Sequence, residues 1–198
     1  MSAMPVAIAA VETPWALPSR GRVAMFSLIG AESAIFTIFV VAYIYYIGKS
    51  LGGPTPREVL EVPIFGTICL LSSSLTIHLA IRALSGGKNG AFNLFWFLTL
   101  ALGTIFLVAT GREWYRLIYV SGLTISTNLF GTTYYSLVGL HAFHVTGGLV
   151  GLGVVMVLAL TGRVKQEHTG RVEVLSLYWH FVDVVWVVVL TVVYIVGR

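Results

Sequence analysis

The chain has 198 residues, of which 57% are hydrophobic and only 10% charged, where a water-soluble domain carries about 25% charge; this excludes a soluble globule and implies helices that satisfy their own backbone in lipid. The net charge of +4 comes from twelve Lys and Arg against eight acids, too scattered to track nucleic-acid phosphates and suited to loops that meet anionic lipid. A single cysteine, Cys69, lies in an apolar segment and excludes an internal disulfide, a CxxC metal site and a thiolate copper pair within the chain.

Residues 1–20 hold Pro5, Pro14 and Pro18 around a short apolar patch, Val6 to Val11. The patch is too short for the core of a signal peptide, and the segment reads as an irregular tail on the membrane surface. Residues 21–198 read as one five-helix transmembrane domain. The first span, about residues 23–48, follows Arg20 and Arg22, carries Glu32 near its middle and ends in Tyr43, Tyr45 and Tyr46, an aromatic belt of the kind found at membrane interfaces. Gly52, Gly53, Pro54 and Pro56 form the loop that follows. The second span, about residues 64–84, holds Ser72, Ser73, Ser74, Thr76 and His78; its hydroxyls can bond back to their own helix or across to another.

The third span, about residues 92–110, is rich in Phe and Leu, and a long loop over residues 111–131 follows. The start of that loop, Arg112 to Tyr119 with Glu113 inside it, reads as a helical extension lying in the interface. The fourth span, about residues 132–160, contains His141 and His144, then Gly147 and Gly151, a small-xxx-small pair that lets another helix approach. The fifth span, about residues 174–196, carries Trp179, His180, Asp183 and Trp186. His180 and Asp183, three apart, share a helix face, and the two indoles, seven apart, line an adjacent stripe.

An ionisable side chain in hydrocarbon costs at least about 2.5–3.5 kcal/mol on insertion scales, so the fifth span must face protein, lipid head groups or water. At about 1.5 Å rise per residue, Glu32, His144 and Asp183 reach mid-depth, with His78 and His180 below them. Haem ligation suits these residues poorly, because haem-binding bundles put single His residues on facing helices, whereas His141 and His144 share one. A carboxylate di-metal centre needs paired Glu-x-x-His motifs, and none occurs. Glu32 fits either a proton path or a buried polar cluster that fixes helix register. The His residues fit such a cluster, touching other helices, lipid or water. Five spans put the termini on opposite sides, and seven Lys and Arg on the N-terminal side against five on the other set the N-terminus in the cytoplasm.

Four stretches in order resemble subunit III of the haem–copper terminal oxidases: Ala31-Glu32-Ser33; Glu113-Trp114; Gly131-Thr132-Thr133-Tyr134-Tyr135 with Gly139-Leu140-His141-Ala142-Phe143-His144-Val145; and Tyr178-Trp179-His180-Phe181-Val182-Asp183-Val184-Val185-Trp186. The resemblance covers about residues 20–198. The five spans match the short bacterial form, which lacks the first two helices of the seven-span form, and Thr110 stands where many members have Gln. The resemblance implies a non-catalytic accessory subunit in a bacterial plasma membrane, with its C-terminus outside. It implies that haem and copper reside in partner subunits I and II, that this chain binds structural phospholipid but no metal, and that it packs on subunit I and supports proton uptake. On this reading Glu32, His144 and Asp183 line a polar cleft, while His78, His141, His180, Glu113, Trp179 and Trp186 make lipid or interhelical contacts. Quinol oxidases and nitric oxide reductases use related subunits and are the alternatives.

Overall fold

In a computed structural model, residues 19–198 are described, and five helices are long and apolar enough to cross a membrane. The expected surface tail lies, up to residue 18, outside the described residues. Helix α1 runs Arg20–Tyr46, a short α2 Pro56–Val59, α3 Ile64–Ser85, α4 Asn89–Tyr119 and α5 Leu129–Leu160. A 3-10 turn, Gln166–His168, leads into α6, Thr169–Val189, which widens into a π-helical segment, Leu190–Val196.

The helix ends follow from local chemistry. Ser19 caps α1 through the N–H of Arg22, and Asn128 caps α5 through the N–H of Gly131. Helices α3 and α5 stop alike. Gly87 and Gly162 take positive φ, 69° and 71°, and the following N–H groups, of Lys88 and Arg163, turn back to Ala83 and Leu158. Glycine supplies that left-handed residue without a Cβ penalty.

The apolar runs fix the spans, and the polar ends refine them. Arg112 to Tyr119 is helical, as expected, but it continues α4 through Gly111 without a break, so the loop begins only at Val120. A glycine in a helix costs about 1 kcal/mol, too little to stop one whose next turns are anchored. There Glu113 and Arg116 find partners on other segments. Likewise α6 begins at Thr169, because Glu173 in its first turns pairs with Arg22 of α1 at 2.6 Å.

Helices α3, α4, α5 and α6 pack in a closed ring, and α1 lies outside it against α5 and α6. Half of the most apolar window of α6 is buried inside the protein, against 6% of that of α1. The last span is therefore the centre of the bundle and the first its edge. Of α1 only Phe36 and Tyr43 are fully packed away.

Candidate functional site: polar contacts between the spans

Glu32 of α1 and His144 of α5 meet, Oε2 to Nε2, at 3.0 Å. The carbonyl of Leu140 lies 2.8 Å from His144 Nδ1, and a carbonyl only accepts, so Nδ1 carries a proton. Nε2 and the carboxyl oxygen then share another. Either a carboxylic acid donates to the imidazole or an imidazolium donates to a carboxylate, and both states leave the pair neutral overall. The His144 side chain is 8% exposed and that of Glu32 23%, so what access the pair has is mainly through Glu32. Phe36 covers the imidazole at 4.9 Å, and the Tyr178 hydroxyl of α6 donates to the His144 carbonyl at 3.2 Å.

Asp183 does not join that pair. It faces α3, where Ser74 Oγ donates to its Oδ2 and stands 2.9 Å from His180 Nδ1. A hydroxyl has one proton and spare lone pairs. With a carboxylate at Asp183, Ser74 accepts from the Nδ1–H of His180; with a carboxylic acid there, the order of donors reverses. Depth along each helix gives no direction around its axis. The expected convergence of Glu32, His144 and Asp183 divides into two sites. Asp183 Oδ1 is buried without a partner. His78, expected at a similar depth to His180, is exposed, one helical turn beyond Ser74.

The two indoles extend this seam. Trp179 Nε1 donates to Ser73 Oγ at 2.8 Å and Trp186 Nε1 to Thr67 Oγ1 at 3.1 Å, so with His180 and Asp183 four side chains of α6 meet hydroxyls of α3. Trp179 is wholly buried. A Cβ on Gly148 of α5 would lie 2.8 Å from its ring, and one on Gly103 of α4 would lie 2.9 Å from it. Trp179 thereby touches every other helix of the ring. His141 turns away from Glu32 and stacks on Trp186 at 5.1 Å, edge-on to Phe106, with neither ring nitrogen bonded. At the far end, Tyr194 of the π segment donates to Glu113 of α4, 3.0 Å away, and lies 3.2 Å from the hydroxyl of Tyr134 on α5.

Sequence reasoning passed over Ser73, Ser74 and Thr67 as individuals, although the serine run was visible. It marked Gly147 and Gly151, while the tightest approach is at the neighbouring Gly148. Tyr194 gave no signal, its partner Glu113 being 81 residues away. Among the described residues no three His, Cys, Asp or Glu side chains gather as a metal-ligand set. What the arrangement can do is hold helices together and keep exchangeable protons on two neighbouring sites.

The family model described as cytochrome c oxidase subunit III matches residues 25–198. Cytochrome c oxidase subunit 3 of Alkalihalophilus pseudofirmus is 33% identical over 171 residues, 85% of this chain and 83% of that one. The protein of the same name from Synechocystis is 38% identical over 174 residues, 83% of this chain and 71% of its own. Cytochrome bo(3) ubiquinol oxidase subunit 3 of Pseudomonas aeruginosa is 32% identical over 168 residues, 84% and 80%.

Proposed function

The chain belongs to the cytochrome c oxidase subunit III family, and from that premise we propose that it is the non-catalytic accessory subunit of a proton-pumping, cytochrome c-type terminal oxidase. It packs on the haem–copper subunit I beside subunit II, stands in a bacterial plasma membrane with its N-terminus in the cytoplasm, and holds phospholipid at its polar seams. Residues 21–198 act as one domain. The observation that carries the mechanism is the 3.0 Å contact between Glu32 Oε2 and His144 Nε2. A pair that is neutral in both of its states can sit in lipid and still exchange a proton with water at its open side, which supports proton supply to subunit I. His180, Ser74 and Asp183 form a second such string.

Glu32→Gln is the test. The amide still donates to Nε2 but cannot pass a proton on. The expected result in the assembled oxidase is fewer protons pumped per electron, or a shorter catalytic lifetime, with normal assembly. Unchanged pumping and lifetime would reduce Glu32 to a structural carboxyl. A second reading, subunit III of a quinol oxidase, is supported by the Pseudomonas relative. A partner subunit II carrying a dinuclear copper motif favours cytochrome c as donor, and one without it favours quinol.

A further inference from the structure

At the rim opposite the start of α1, the last helix widens into its π segment, Leu190–Val196. Segments of this kind frequently stand at functional sites, and this one carries Tyr194. The phenol is 2% exposed. Its hydroxyl lies 3.0 Å from one Glu113 oxygen and 3.1 Å from the other, and 3.2 Å from the Tyr134 hydroxyl. Tyr194 gives its proton to the carboxyl, so Tyr134 gives its own to Tyr194. Of the tyrosines among the described residues only Tyr194 bonds a carboxyl group. The tyrosine pairs Tyr45–Tyr46 and Tyr115–Tyr119 stand exposed and bond none. From Tyr194 the rings continue to Tyr134 and Tyr135, with centroids 6.5 Å and then 5.1 Å apart. Tyr134 is wholly buried, and Tyr135 reaches the surface.

We propose that Tyr194 is a redox-active tyrosine, oxidised through Tyr134 and Tyr135 by lipid peroxyl radicals while Glu113 takes its proton. A phenol that loses an electron becomes a strong acid, so its oxidation needs a base within hydrogen-bond reach; Glu113 stands at that distance. One electron passes from Tyr194 along the two rings to a peroxyl radical at the surface. The radical becomes a peroxide anion, which takes a proton from water to give a hydroperoxide. The O–H bond of Tyr194 breaks, its proton bonds a Glu113 oxygen, and a neutral tyrosyl radical remains. The step turns a carboxylate into a carboxylic acid, and burial favours the uncharged product. Glu113 also lines a cavity of about 430 Å³ between α3 and α4, where it can hand the proton on to water. Enclosure by Tyr134, Trp186 and Glu113 keeps the radical from colliding with a second one. The exposed tyrosines have no such shelter. The proposal does not rest on which oxidase the chain serves.

The test exposes the full chain in mild detergent to peroxyl radicals from a lipid-soluble azo initiator. Freeze-quench electron paramagnetic resonance, with ring-deuterated tyrosine to identify the tyrosyl signal, reads the product. The wild type is expected to show a tyrosyl radical that outlasts those of the exposed tyrosines. Tyr194→Phe is expected to abolish this long-lived signal, and Tyr115→Phe/Tyr119→Phe to leave it intact. Glu113→Gln keeps a bond to Tyr194 but takes no proton. It guards against misfolding and is expected to cut the long-lived yield by about tenfold or more, the rate equivalent of one charge-assisted bond. Absence of a long-lived tyrosyl signal in the wild type, or a signal of equal size in Tyr194→Phe or in Glu113→Gln, overturns the proposal. Proton pumping is not read, so failure here leaves the oxidase reading standing.

Discussion

Replacing Gly148 with Ala tests whether Trp179 is the pivot of the bundle. Inside a helix, Ala is favoured over Gly by about 0.5–1 kcal/mol. At Gly148 the added methyl would stand 2.8 Å from the Trp179 ring, closer than real contacts allow. The ring cannot yield, because Gly103 lies against it from α4 and Ser73 holds its N–H. Overpacking of this kind costs about 1–3 kcal/mol. At Gly153, on the same helix, an added methyl would meet nothing within 4 Å, so Gly153→Ala collects the helix gain alone. The two variants should therefore differ by about 1–3 kcal/mol, about five- to 150-fold in the unfolding equilibrium. Denaturant unfolding of the detergent-solubilised protein, followed by Trp fluorescence, reads the difference. Trp179→Phe removes the crowded part of the ring, so in the double variant the cost of Gly148→Ala should shrink. If Gly148→Ala and Gly153→Ala unfold at the same denaturant concentration, Trp179 is not clamped and the packing argument fails.

Ser74→Ala should destabilise by about 1–3 kcal/mol, because it strands Asp183 and His180 together, whereas Asp183→Asn, which still accepts from Ser74, should cost less; the reverse order in thermal unfolding would show that the hydroxyl is not the hub. Tyr194→Phe removes a donor from Glu113 and should cost a similar amount, about 1–3 kcal/mol, part of which Glu113→Gln restores in the double variant; no shift in melting would refute the link. In the loop, the bond from the Thr55 N–H, followed by the Thr55 side chain, holds the Glu58 carboxyl below its usual range. Its contribution to the α2 turn should therefore be complete above the ordinary carboxylate pKa and disappear only as pH falls through the lowered value; a carbon-13 titration placing Glu58 at or above about 4.3, the unperturbed figure, would contradict this.

The spans were legible because an uninterrupted apolar run has only one use at this length. Polar residues near the ends were harder. The helical stretch from Arg112 to Tyr119 was legible, but its unbroken continuation from α4 through Gly111 was not, because Glu113 and Arg116 find their partners on segments far away in the chain. The meeting of Glu32 and His144 followed from matched depth. The place of Asp183 did not, since spacing within a helix says which residues share a face and not which neighbour that face meets. His141 shows the same limit: three residues from His144, it stacks on Trp186 instead of meeting a carboxyl. Gly148 was hidden among several glycines, because what distinguishes it is the indole of another helix.

The peripheral position of α1 bears on how the protein is made. This helix leaves the ribosome before α5 and α6, yet it packs mainly on those two. At about 5–20 residues per second, the interval before α6 arrives is on the order of ten seconds. Throughout that time Glu32 must lodge in the translocon or the bilayer without His144, so a nascent chain arrested before α5 should be prone to losing α1 to quality-control proteases.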